Sequence, residues 1–581
     1  MSAIKPVQRF WDILREDKRD LIVLIVYTVL SGLLSLVIPL TAQALVNTIA
    51  AGVFLQPLAV LTLILFVVLI FVGALRASQF FLVEILQRRI FAKVSLNLSE
   101  RVPLIQHRAW LTEYMPEVMN RFFDVVNAQK TMAKILLEAP AALLQISIGL
   151  LLMAVYSPVL LAFDLFIIFF IIFVAFVLGK NGVNTSIQES EEKYRVAGWL
   201  EELARCQISF KVDGVPGYLY QRTDNHVVAY LNARRGHFQI LFRQAIANHL
   251  FQALATAGIL GIGGWLVIER QLTLGQLVAS ELVILILLTA LEKLVALFQD
   301  WYDLLTSLTK IGHITDLPIE RTDGIRLETA PNGIAVHCQA VNFSYKPPTP
   351  VLSNLSLTVQ PGEVVSLVGP SGAGKSTLAA MLCGFLEPDQ GLIELNGIDV
   401  RTLQLQSLRQ SVSLVSDTNE IFEGTIAENI GLGRKNVSAQ DIRWALEISQ
   451  LTEKIQTLPE GMQTPLLSSG VNLSRGQKQK LMIARGIVSR PKLLILDEAF
   501  TGIDERKKLR ILDALLSPDN QWTVIDISHD SDVVMRSHRM MVLSDGRIQE
   551  TGPPKALIRN QDSLFASFFP ELASRFGRRL K

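Results

Sequence analysis

The sequence predicts a polytopic α-helical membrane domain joined to an α/β domain, and three observations predict it. Apolar residues are concentrated between about residues 20 and 300. Near residues 364–383 a buried-looking strand, a glycine-rich loop and a helix follow one another. A second apolar strand, at 492–498, ends in two carboxylates. The chain has 581 residues, room for two or three domains, and half of them are hydrophobic. Its mean hydropathy of +0.36 is high for a soluble protein. A net charge of +2 gives no global electrostatic case for nucleic acid, and none is expected as a partner. Cys206, Cys338 and Cys383 lie far apart without metal-site spacing and suit reduced thiols. The first eighteen residues carry both charge signs and no short apolar region precedes a cleavage site, so no cleavable signal is expected.

Six spans are expected, near 21–44, 58–75, 140–156, 159–178, 245–268 and 274–297. The links after the first, third and fifth are short; those after the second and fourth run to about fifty residues or more and read as helical. Lys and Arg crowd the long links (Arg88, Arg89, Lys93, Arg121, Lys193, Arg234) and are scarce in the short ones. The positive-inside rule therefore puts the long links and both chain ends in the cytosol of a multi-pass protein of the cytoplasmic (inner) membrane. Residues 1–18 form an amphipathic segment whose Phe10, Trp11, Ile13 and Leu14 suit either the headgroup layer or packing on the protein. Glu281, Glu292 and Lys293 fall inside the sixth span, where charge faces a cavity or a partner. The membrane domain is read as 19–315, a linker as 316–333 with Pro318, Pro331 and Gly333, and the α/β domain as 334–581.

The loop of the α/β domain reads Gly369, Pro370, Ser371, Gly372, Ala373, Gly374, Lys375, Ser376, Thr377, which fits the P-loop pattern G-x-x-x-x-G-K-[ST] without a gap. Glycines let the backbone wrap a phosphate, and the loop N–H groups and the helix N-terminus face the negative charge. Lys375 is expected to reach the outer phosphates and Ser376 to help hold Mg²⁺. Strand 492–498 ends in Asp497, placed to reach Mg²⁺, and Glu498, placed to polarise a water for in-line attack on the γ-phosphate. A lone Asp-Glu is ordinarily a solvated pair; a P-loop upstream favours the catalytic reading.

Between these lies Leu473-Ser474-Arg475-Gly476-Gln477, twenty residues or so before Asp497. With it the chain resembles ATP-binding cassette (ABC) transporters, whose signature is L-S-G-G-Q; here Arg475 replaces the first glycine. The resemblance covers nearly the whole chain: six spans, long cytosolic links and a C-terminal cassette match the ABC exporter fold, that is, a six-helix membrane domain plus a P-loop NTPase domain. It implies ATP and Mg²⁺ as cofactors and ATP hydrolysis coupled to transport. It implies that Ser474, Gly476 and Gln477 of one cassette close over the ATP held by another, so the chain is expected to dimerise, a homodimer being favoured over a heterodimer. It further implies that Tyr345 stacks on adenine, that His529 is the switch histidine beside the γ-phosphate, and that Asp504 occupies the D-loop. Two departures stand out. Asp417 occupies the place of a Mg²⁺-binding glutamine, and Ser468 replaces an acidic residue ahead of the signature. The stretch 263–279 looks like that of haemolysin-type and bacteriocin-type secretion transporters, without their N-terminal peptidase-like domain. Export of a peptide, protein or other secreted product is therefore expected, with a lipid or drug exporter as the alternative and an ATP-gated channel or sensor less favoured. A periplasmic adaptor stays open as a partner. Short coupling helices are expected around Met115–Phe123 and Val215–Arg222.

Overall fold

A computed structural model describes residues 5–50, 55–111, 114–156, 158–213, 216–328, 331–417, 420–560 and 562–572. Residues 51–54 of the first short link, Ser157 and Val215 lie outside that set. The chain divides into two compact units, the first holding residues 1–105 and 109–318, the second 106–108 and 319–581. The division falls within the segment read as a linker.

The first unit is helical. Its helices are α1 (Pro6–Arg15), α2 (Lys18–Ser35), α3 (Val37–Ala50), α4 (Leu55–Arg101), α5 (His107–Trp110, which straddles the division), α6 (Met115–Asn120), α7 (Asp124–Tyr156), α8 (Pro158–Ile172), α9 (Gly182–Arg205), α10 (Gln207–Asp213), α11 (Pro216–Ile268) and α12 (Leu274–Thr315). Among the described residues, four stretches are long and apolar enough to cross a membrane: Lys18–Ile49, Leu58–Leu104, Met115–Val155 and Pro216–Ile268. A bent pair, Leu165–Leu178 with Gly182–Arg205, makes a fifth. The sixth predicted span falls in α12, which carries Glu281, Glu292 and Lys293 and is not among these stretches. Helix α12 packs along α7, α3, α11 and α9, and α2 lies against α4. Phe170 and Phe251 stack with centroids 4.0 Å apart within a core that includes Ile284 and Leu287.

Helix α1 packs on the protein. Phe10 and Leu14 are buried with Leu304 and Leu308 of α12, and Phe10 meets Trp301 edge-on, whereas Trp11 is 62 % exposed. The fourth span is broken by a π-helical turn at Phe173–Leu178, and Asn181 takes a left-handed φ of 68°. The two halves bend by 44° there, and a Cβ on Gly182 would meet the Tyr302 ring at 2.4 Å. Tyr302 thus occupies the bend, which only glycine at 182 permits. Of the two expected coupling segments, Met115–Phe123 is short helix. The second is not: Pro216 stands at the start of the 53-residue α11, as proline suits a first helical turn.

The second unit holds two main sheets. A six-stranded sheet runs in the order Arg547–Gly552, Arg539–Ser544, Val364–Val368, Thr523–Ile527, Leu493–Asp497, Val412–Ser416. Only its first pair is antiparallel. Strands Val364–Val368 and Thr523–Ile527 are buried throughout, as a sheet covered on both faces requires. An antiparallel sheet of Leu352–Val359, Val336–Phe343, Gln390–Leu395 and Ile398–Asp399 supplies much of the same core. Arg321 donates to the Val400 and Leu403 carbonyls, so the segment after residue 319 is fastened to this unit.

Candidate functional site

Ligands of parallel sheets bind beyond the carboxyl ends of the strands, and the expected residues gather there. The P-loop follows Val364–Val368 and opens the helix Lys375–Leu382. Its path requires glycine at two close approaches. A Cβ at Gly369 would lie 1.9 Å from the Leu543 carbonyl oxygen, and one at Gly374, whose φ is 102°, would lie 2.5 Å from Leu352 Cδ2. Gly372 has open space but a φ of 82°, so conformation alone favours glycine there. Pro370 and Ser371 are exposed on the loop, and Ala373 is buried. Lys375 Nζ donates to the carbonyls of Gly369 and Pro370 at 2.8 and 3.0 Å. Burial lowers its pKa, and Asp497 and Glu498 act against that shift. Thr377 Oγ1 lies 3.1 Å from the Tyr345 hydroxyl, which holds this aromatic beside the P-loop helix with its ring edge-on to Phe343.

Asp497 ends strand Leu493–Asp497. Burial raises its pKa; Glu498 and Asp417 push the same way, while a hydrogen bond from Ser376 and the charge of Lys375 pull it down. The four partners in that balance are the expected metal ligands Ser376 and Asp417, the expected base and the P-loop lysine. Hard oxygen donors with a carboxylate or two suit Mg²⁺, which keeps several waters and shares phosphate oxygens. No group of three or more His, Cys, Asp and Glu among the described residues is arranged as a metal cage.

Glu498 sits at φ 52°, a left-handed conformation that costs a non-glycine residue about 1–3 kcal/mol. Three hydrogen bonds fix it: its N–H donates to the Ile527 carbonyl at 2.9 Å, and its carbonyl accepts the Thr501 hydroxyl at 3.0 Å and the Thr501 N–H at 3.3 Å. The side chain is exposed beyond the strand end. His529, also exposed, follows Thr523–Ile527, the strand neighbouring Leu493–Asp497. The turn after it is tied down by Lys508, whose Nζ meets Asp530 at 2.5 Å. Sequence reasoning missed that tie, and nothing in the local pattern signals it. It also passed over Asp526, a fully buried carboxyl whose pKa burial raises well above its usual value, with Ser366 Oγ 3.4 Å from its Oδ2. A carboxylate inside an apolar strand was the available signal.

The signature residues open a helix. Ser474 is the N-cap of Arg475–Ile487, its Oγ accepting the Gln477 N–H at 3.3 Å while Gln477 Oε1 accepts the Ser474 N–H at 2.9 Å. A Cβ at Gly476 would lie 2.5 Å from the Gly502 carbonyl oxygen, and the Arg475 side chain runs beside Gly502. Asp504 caps the helix Glu505–Leu515, accepting from the N–H groups of Arg506 and Lys507. Ser468 is exposed in a short turn ahead of the signature.

Comparison with known proteins fits this geometry. Residues 352–501, from the strand Leu352–Val359 to Thr501, match the ABC transporter family. Over 350 residues the chain is 34% identical to an ATP-dependent lipid A-core flippase of Thiobacillus denitrificans, a match covering 59% of this chain and 60% of the flippase, less than two thirds of that relative. Over 540 residues it is 27% identical to the transport/processing ATP-binding protein ComA of Streptococcus pneumoniae, covering 91% of this chain and 74% of ComA. The solved structure of a bacterial Atm1-family ABC exporter with ATP bound superposes with a TM-score of 0.86 at 23% identity, over 96% of this chain and 98% of the other, a likeness of fold.

Proposed function

We propose that this chain, which belongs to the ABC transporters as a membrane domain fused to its ATPase, exports a substrate from the cytosol across the cytoplasmic membrane by hydrolysing ATP as a dimer. The observation that carries the reading is the gathering of Lys375, Ser376, Asp497, Glu498 and Asp417 at adjoining strand ends, in a chain whose other unit is built of long apolar helices.

In this reading the P-loop N–H groups and Lys375 hold the phosphates, and Tyr345 stacks on the base. Ser376, Asp497 and Asp417 hold Mg²⁺, which neutralises phosphate charge when bound. Glu498 orients the attacking water and His529 holds the γ-phosphate. Ser474 and the first N–H groups of the signature helix meet the γ-phosphate bound by a second copy, with the cassettes on the cytosolic side. A homodimer is favoured because one chain carries the complete P-loop, both strand-end carboxylates and the switch histidine.

ComA, a transport/processing protein matched over most of this chain, supports a peptide or other secreted product as cargo. The lipid A-core flippase supports a lipid instead. Purified chain in lipid nanodiscs, with and without Glu498→Gln, tests the core of the proposal. Turnover abolished by the substitution with ATP binding retained is the expected result. Equal turnover in both proteins would refute the assignment of Glu498, and ATP binding without turnover in either would favour an ATP-gated channel or sensor.

A further inference from the structure

The first unit contains a cavity of about 890 Å³ between α1, α6, α9 and the end of α12. Lys5, Arg9, Arg121, Arg195 and Lys310 line it. The carboxylates on its wall are Glu117, Glu191 and Asp316, and Glu192 beside it pairs with Arg195 at 2.5 Å. The cation at its heart is built in: Lys310 is 6 % exposed, and its ion pair with Glu191 is long, at 3.9 Å. Arg121 reaches Glu117 only at 3.5 Å, and its buried Nε has no hydrogen-bond partner. Arg9 donates to Thr315 Oγ1 at 3.0 Å and pairs with Asp316, which holds its guanidinium at the cavity edge. The N-terminus of α1 opens there too, since Lys5 is its N-cap and Pro6 its first residue. An ammonium and a guanidinium that hold their carboxylates only at 3.9 and 3.5 Å keep charge that an anion in the cavity would complete.

The position identifies the source of that anion. Lys310 lies thirteen residues beyond Leu297, where the sixth predicted span ends, or about 20 Å at 1.5 Å per residue. The interfacial layer outside the hydrocarbon is roughly 5–8 Å thick. Along α12, Lys310 therefore lies beyond the headgroup layer. Forked guanidinium donors beside an ammonium suit phosphate oxygens, and the volume suits a small metabolite.

We propose that this cavity binds a water-soluble, phosphate-bearing anion, separately from the nucleotide site of the cassette. The test uses the full chain in nanodiscs of zwitterionic lipid, carrying Lys375→Ala to silence the P-loop, with pyrophosphate as the probe in titration calorimetry. One pyrophosphate per chain is expected, weakened about tenfold or more by Lys310→Gln or by Arg121→Gln and retained by Lys310→Arg. Should Lys310→Gln fail to fold, as judged by its thermal melt, Arg121→Gln carries the test. No binding at millimolar pyrophosphate, or binding that neither substitution weakens, overturns the proposal. Repeating the titration with anionic phospholipid in the nanodisc separates the two sources of phosphate: unchanged affinity supports a soluble ligand, and competition by the lipid overturns that assignment.

Discussion

Replacing Gly476 by alanine sets two physical effects against each other. Gly476 lies in the first turn of the helix Arg475–Ile487, where alanine is the better helix former by up to about 1 kcal/mol. By propensity alone the substitution stabilises the protein. The added Cβ, however, would sit 2.5 Å from the Gly502 carbonyl oxygen, nearly 1 Å inside ordinary van der Waals contact. Both neighbours are backbone, so no flexible side chain can swing aside. Either the helix start or the loop between Glu498 and Asp504 must move, a strain of about 1–3 kcal/mol that outweighs the propensity gain. Glu498 begins that loop, and a displacement near 1 Å in a catalytic constellation costs about a hundredfold in rate. The expected result is a lower melting temperature, turnover reduced about a hundredfold, and nearly unchanged affinity for ATP at the P-loop, which the contact does not touch. ATPase rates, fluorescent-nucleotide binding and thermal melts on the same nanodisc preparation read all three. A melting temperature that rises while turnover stays at the wild-type level would refute the reasoning, because propensity would then have decided the outcome.

Two further predictions rest on charge. Asp417→Gln removes one of the two carboxylates that push the Asp497 pKa upward, and the nucleotide is then expected to bind about threefold to tenfold tighter when Mg²⁺ is scarce; an ATP titration at several Mg²⁺ concentrations checks this, and curves identical to wild type throughout would contradict it. Burial, with Asp300 and Glu189 adding to it, pushes the pKa of Asp303 from 3.8 up to about 6. The folded chain holds that proton more tightly than the unfolded chain, so this stability is full below about pH 3.8 and is lost as pH rises through about 6. Asp303→Asn is therefore expected to raise the melting temperature at pH 8 and to leave it nearly unchanged at pH 4, on the order of 2 kcal/mol separating the two conditions; an equal change at both would count against a buried ionisation.

The parts of this molecule legible in the sequence are those where the solvent or the ligand dictates composition. A bilayer demands long apolar runs, and a phosphate demands a loop whose backbone can approach closely, so the long helices and the path through Gly369 and Gly374 follow from residue types. The bend in the fourth span is different. Phe173–Leu178 is uniformly apolar, and its π-helical turn is coupled to Tyr302, more than a hundred residues away. The paired polar groups Ser366 and Asp526 lie 160 residues apart and become neighbours only when their strands register in parallel. The stretch expected as a short helix around Val215–Arg222 is, from Pro216, the start of the longest described helix of the unit, a continuity that local residue types do not signal.

The signature illustrates how local and functional demands coincide on the same atoms. Ser474 and Gln477 already satisfy each other's backbone N–H groups, which fully explains their types as a helix start. Capping does not exhaust them, because Ser474 Oγ accepts in that arrangement and its own proton remains to be donated. The N–H groups of Arg475 and Gly476 lie in the first turn, where no intrahelical acceptor exists. One hydroxyl and two backbone donors therefore point out of the positive end of a 13-residue helix, an arrangement suited to an outer phosphate. Asp504 differs. Ionised, it only accepts hydrogen bonds, and its Oδ1 already takes the N–H groups of Arg506 and Lys507. It has no donor to offer a phosphate, so its part in the site is to anchor the loop that carries Gly502 against Gly476. We therefore propose that Asp504 acts as a positioning residue, and Asp504→Asn, which keeps the acceptor, should preserve far more turnover than Asp504→Ala.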